Sequence, residues 1–168
     1  TDWRRFLDAL EITGGSKKAE GAFRTWVLTG ADGLQLATRS GARAAYDKLD
    51  ADPGGWSAPT MVRDFMGQWR FDEATKAMAD ADTVRAARDQ LRSDAAAAGL
   101  TLADRAKDAY ENATESFGSA TGLLQAQRET MERVISAQQK VAAPRTFAQR
   151  VGLRGKDVNA AIERAKSA

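Results

Sequence analysis

The stretch that most constrains this chain runs from Trp69 to Val141, where alanine dominates and apolar residues return every three or four positions. In its first half Ala77, Ala81, Val84, Arg88, Leu91, Ala95 and Ala98 keep the helical period and so share one face. From Thr101 onward Leu102, Ala106, Ala109, Ala113, Ser116, Ala120, Leu123, Gln127, Met131, Val134, Gln138 and Val141 continue it. Between the two runs Gly99 can take the left-handed conformation that closes a helix, and Thr101 can cap the next one with Asp104 three residues on. The pattern predicts an antiparallel helical hairpin, tightly spaced because alanines let two backbones approach. Leu91, Tyr110, Phe117, Leu124 and Met131 supply its larger contacts, and Arg88 interrupts its thin apolar face. A buried large side chain stabilises by only about 1.5–3 kcal/mol, so such a hairpin needs a further layer.

Residues 1–69 differ in kind, reading as an aromatic-cored bundle of short helices. Thr1 or Asp2 can cap a first helix with Trp3, Phe6, Leu7 and Leu10 on its face, ended by Thr13-Gly14-Gly15-Ser16. A second spans Lys17 to Leu28 with Phe23, Trp26 and Val27 inward, before the break at Thr29–Gly33. Leu36, Ala42, Ala45, Tyr46 and Leu49 mark a third, and Asp52-Pro53-Gly54-Gly55 is a loop. Pro59 suits the first turn of a fourth, carrying Met61, Val62, Phe65, Met66 and Trp69. All four tryptophans fall here, and clustered aromatics at helical spacing read as core. The competing reading is a ligand groove between bundle and hairpin lined by Trp56, Trp69 and Phe71.

The fold class is therefore all-α: an antiparallel helical bundle with a long Ala-rich hairpin. Residues 1–69 and 70–168 form two parts, or one continuous domain. Pro144 breaks the second long helix, a turn follows around Phe147–Val151, and a closing helix from Lys156 places Val158, Ala161, Ile162 and Ala165 inward. A large–small–apolar pattern recurs at Phe71/Ala74/Met78, Phe117/Ala120/Leu124 and Val158/Ala161/Ala165, as in stacked helical repeats, though its spacing is unequal.

The chain contains neither cysteine nor histidine. That excludes disulfides, thiol nucleophiles, Ser-His-Asp chemistry and histidine-based zinc. Thr13-Gly14-Gly15-Ser16-Lys17-Lys18 lacks the spacing of a phosphate loop. Asp50-Ala51-Asp52 and Asp80-Ala81-Asp82 lack the distal ligand of a calcium loop, since Met61 and Leu91 stand there. Asp104, Asp108, Glu111 and Glu115 form a carboxylate stripe that reads as a solvated face. No catalytic residue, metal site or cofactor is expected in this chain. Net charge is only +2, with a basic tail over residues 143–168, and gives no ground for a nucleic-acid partner.

Two segments carry a family resemblance. D-W-R-R-F-L-D-A-L-E with A-F-R-T-W-V-L-T, where Phe23 and Trp26 stand three apart, resembles the end of the helical part of gluzincin metallopeptidases, the aminopeptidase-like zinc enzymes. A-P-R-T-F-A-Q-R-V-G-L-R-G-K-D-V, from Ala143 to Val158, is similar to the helical extracytoplasmic tail of large actinobacterial membrane-anchored proteins of that kind. The family's zinc-binding H-E-x-x-H has no counterpart, so only Phe23 and Trp26 carry over, as packing residues. The resemblance implies an accessory region whose zinc chemistry and membrane anchor lie elsewhere in a parent polypeptide. The expected function is thus a non-catalytic accessory or interaction domain, extracytoplasmic, partnered by the rest of its parent or by another protein. The alternative is a ligand- or peptide-binding module using the Trp56/Trp69/Phe71 groove.

Overall fold

The computed structural model describes residues 2–142 together with Ala160 and Arg164. Among them every regular element is helical: α1 (Trp3–Asp8), a π-helical turn (Ala9–Thr13), α2 (Ala19–Trp26), α3 (Gly30–Asp50), α4 (Thr60–Gly67), α5 (Phe71–Ala97), α6 (Lys107–Glu111) and α7 (Gly118–Ala142). The chain is all-α.

Local chemistry sets most boundaries. The Asp2 carboxylate accepts the Arg4 N–H at 3.0 Å and caps α1. Helix α3 begins earlier than the glycines suggest, because Asp32 accepts both the backbone N–H (3.4 Å) and the hydroxyl (2.8 Å) of Thr29. Gly99 ends α5 at φ 68°, and the Leu100 N–H closes on the Ala95 carbonyl at 2.8 Å. Trp69 does the same for α4 at φ 59°, with the Arg70 N–H on the Phe65 carbonyl at 2.9 Å. Trp69 is therefore not a face residue of α4 but its stop. A non-glycine residue there costs about 1–2 kcal/mol, which the packing of its ring must offset.

The predicted hairpin is not how the alanine-rich half closes. Residues 100–106 leave the helix, α6 is one short turn, and the second long helix starts only at Gly118. Asp104 is the reason Thr101 caps nothing: its carboxylate accepts the Trp56 indole N–H at 2.9 and 3.1 Å and pairs with Arg92 at 3.0 Å. The long helices also run the same way. Arg39 of α3 lies against Trp69, two residues before α5 begins, while Leu49 and Asp52 past it meet Arg85 and Arg88 further along α5. Gly118 at the start of α7 neighbours Asp80 and Thr83, and Arg128 further on pairs with Asp94. So α3, α5 and α7 are parallel, joined by return legs at 51–69 and 98–117. This is stacked-repeat geometry, in which each long helix rests on the one before it.

Two apolar cores result. The larger joins Leu49, Trp56, Met61 and Val62 to Phe71, Met78, Leu91, Tyr110, Phe117, Leu124 and Met131. The smaller contains Leu7, Ala19, Phe23 and Leu36. Trp69, at the expected seam between two parts, packs against both. On α5 the face from Ala77 to Ala95 is buried as its spacing predicts, Arg88 included, and so are Phe71/Ala74/Met78 and Phe117/Ala120/Leu124. Leu124 rather than Leu123 is buried on α7, because the restart at Gly118 resets the helical phase. The break at Pro144, the turn at 147–151, the closing helix apart from Ala160 and Arg164, the third copy of the pattern and the whole Ala143–Val158 segment lie outside the described residues.

Candidate functional site

Each long helix grips the chain before it through an arginine. Arg39 reaches Asp8, Arg88 reaches Asp52 and Arg128 reaches Asp94, across 31, 36 and 34 residues. Arg88 makes the tightest grip. Its two terminal nitrogens take the two oxygens of Asp52 at 2.6 and 2.9 Å, its guanidinium lies 4.6 Å from the Trp56 ring centroid, and its side chain is 2% exposed. Gly54 is required beside it, since a Cβ there would overlap the guanidinium. Arg85 adds hydrogen bonds to the Leu49 and Trp56 carbonyls, and Arg92 one to Gly54. Three arginines of α5 thus hold the 51–59 loop.

These groups are configured for structure. The Arg88 fork, with the Trp56 backbone N–H, holds the Asp52 carboxyl well below the usual carboxylate range, so it carries no proton to donate near neutral pH. Burial pushes the Tyr110 phenol up to about 12, and it stays protonated. Among the described residues its hydroxyl and the Arg85 Nε are buried without hydrogen-bond partners. Of the predicted carboxylate stripe, Asp104 serves Trp56 while Glu111 accepts the Ser57 N–H at 2.7 Å. Asp50, from the rejected calcium pattern, accepts the Ala58 N–H at 3.2 Å. Among the described residues no group of three or more carboxylates could hold a metal ion. None of their helices is long and apolar enough to cross a membrane.

Two of the three predicted groove residues are buried. Trp56 is 1% exposed, its ring tilted against Tyr110 at 4.7 Å, and Phe71 is buried beside the half-buried Trp69 at 5.1 Å. Of the two residues carried over from the family resemblance, Phe23 packs in the smaller core and Trp26 does not. Trp26 is 85% exposed, and Val27 beside it is more than half exposed. The cause is geometric: Ala19, Phe23 and Trp26/Val27 form one apolar stripe on α2, and the stripe runs past the edge of the core it enters. Phe6 of α1, also exposed, lies with its ring 5.8 Å from Phe23 and extends the same rim.

A second apolar surface lies where the 100–105 segment crosses α7. It encloses about 250 Å³ between Leu100, Leu102, Leu123, Ala126, Met131 and Val134, and the Gln127 amide donates to the Ala103 carbonyl at 2.7 Å across one side. No family model matches the chain, and no curated protein or solved structure matches it either.

Sequence reasoning missed the arginine grips and placed Trp26 and Val27 inward. A signal for the former was present: Arg85 and Arg88 fall on a face otherwise apolar, with Arg92 at its edge, and a guanidinium on such a face demands an acidic or carbonyl partner. For Trp26 there was none, because a stripe on a helix does not say how far the neighbouring element extends.

Proposed function

We propose that this chain is a non-catalytic interaction module, an accessory domain of a larger, membrane-anchored bacterial protein. The observation that carries the reading is the Phe6–Trp26–Val27 rim, apolar side chains left open beside a core that could have covered them. Tryptophan is among the residues that most often anchor interfaces, and it does so when water is excluded around it. The arginine grips support the same reading, since they spend the buried charges of the molecule on holding shape. The gluzincin-like parent rests on the Phe23/Trp26 and Ala143–Val158 resemblance alone. The test is a photo-crosslinking residue at position 26 in the intact parent protein, with position 76, exposed on α5, as control. Crosslinks concentrated at 26 are expected; equal yields at 26 and 76 would sink the reading.

The 250 Å³ groove beside α7 favours a second reading, a helical module that takes an apolar peptide or ligand. It relocates the groove expected at Trp56, Trp69 and Phe71. Replacing half-buried Leu102 by Trp would fill it, and loss of ligand binding without loss of fold is the outcome this reading requires.

A further inference from the structure

The rim carries a charge that composition conceals. Residues 1–34 contain five acids and five bases, Asp2, Asp8, Glu11, Glu20 and Asp32 against Arg4, Arg5, Lys17, Lys18 and Arg24. All five carboxylates are engaged. Asp2 caps α1, Asp32 caps α3, Asp8 and Glu11 pair with the buried Arg39 at 2.6 and 2.7 Å, and Glu20 pairs with Arg24 at 3.0 Å. Because Arg39 and Arg43 come from outside this segment, they neutralise its acids without using its own cations. Arg5, Lys17 and Lys18 are exposed and form no ion pair among the described residues. Arg5 adjoins Phe6, while Lys17 and Lys18 stand at the start of α2, about 12 Å along its axis from Trp26.

We propose that the Phe6–Trp26–Val27 rim, with Arg5, Lys17 and Lys18, docks on the surface of an anionic phospholipid bilayer. This rests on the interaction reading and names its partner. Tryptophan settles at the headgroup level of a bilayer, apolar neighbours such as Phe6 and Val27 sink just beneath it, and nearby cations are drawn to its anionic lipids. An apolar rim flanked by three cations that no carboxylate pairs, in a segment whose Asp8 and Glu11 are offset by Arg39 and Arg43 and which keeps a net positive charge even with Asp2 and Asp32 ionised, fits a dense negative surface better than the mixed-charge rim of a typical protein interface. A contact of this size is reversible by itself, and a parent already anchored nearby would raise its effective concentration.

The test uses the full chain with vesicles of phosphatidylcholine alone or containing phosphatidylglycerol, read by co-sedimentation and tryptophan fluorescence. Binding at least about tenfold stronger to the anionic vesicles is expected, weakening as salt is added. Trp26→Ser should weaken it about tenfold and the double variant Lys17→Glu/Lys18→Glu at least about thirtyfold, with circular dichroism unchanged because these side chains are exposed. Val27→Ser is the second apolar probe should Trp26→Ser perturb folding. Failure to sediment with anionic vesicles, equal binding to neutral ones, or indifference to both substitutions overturns the proposal. So does a self-association that Trp26→Ser abolishes, which would assign the rim to a second copy. If vesicles fail while crosslinking at position 26 persists, the lipid assignment falls and the interaction reading stands; if both fail, both fall.

Discussion

The environments of Arg39 and Arg88 are built from the same parts and closed differently. Each buries a guanidinium against a tryptophan ring, at 5.2 Å for Trp69 and 4.6 Å for Trp56, and each takes a carboxylate from the preceding part of the chain. Arg88 meets both oxygens of Asp52, whose side chain is 5% exposed. Arg39 converges on one oxygen of Asp8, which is 27% exposed, and the other accepts the Trp69 indole N–H at 2.6 Å. Glu11 also pairs with Arg39, and Arg43 also pairs with Asp8. The difference teaches that sharing a buried charge among several partially hydrated partners makes each one less critical. Arg88 also meets the exposed Asp89 at 2.8 Å, but Asp52 is its one dry carboxylate, and a carboxylate that relies on one guanidinium in the core makes that guanidinium indispensable. Arg128 and Asp94 complete the series, spanning a similar separation with about a third of each side chain exposed.

The largest expected effect is Arg88→Ala, which strands Asp52 in the core and should destabilise by about 3–5 kcal/mol in urea unfolding. The double variant Arg88→Met/Asp52→Leu should recover most of that loss; if it does not, the pair does more than neutralise itself. Arg39→Met should cost less, about 1–3 kcal/mol, because Asp8 and Glu11 keep Arg43 and water. Equal losses at the two sites would break the comparison. Gly54→Ala should cost about 1–3 kcal/mol by pushing the guanidinium off Asp52, and should lose most of that effect in the double variant. Asp94→Asn marks the lower end, at most about 1 kcal/mol and fading with salt.

Acid sharpens the same contrast. The folded Asp52 carboxyl titrates below its unfolded counterpart, so its contribution is fully present above the ordinary carboxylate pKa of about 4 and is lost as pH falls below it. Stability of the wild type should therefore drop more steeply below about pH 4 than that of the Arg88→Met/Asp52→Leu variant. Parallel slopes for the two would show that Asp52 is not held charged by Arg88.

The sequence by itself determined the all-α class, the apolar face of α5, the stop at Gly99 and the loop at Asp52–Gly55. Each follows from interactions within about one or two helical turns, so periodicity and glycine placement suffice to reveal them. Only the tertiary structure decided that the long helices are parallel, that Trp69 rather than a glycine ends α4, and that Asp104 serves Trp56 instead of opening a helix. It also decided that the α2 stripe leaves Trp26 in solvent. These outcomes depend on partners 31 to 61 residues away, as Asp8 with Arg39, Trp56 with Asp104 and Trp69 with Asp8 show. Local pattern fixes which face of a helix is apolar; what meets that face, and where the contact ends, depends on chain folded in from elsewhere.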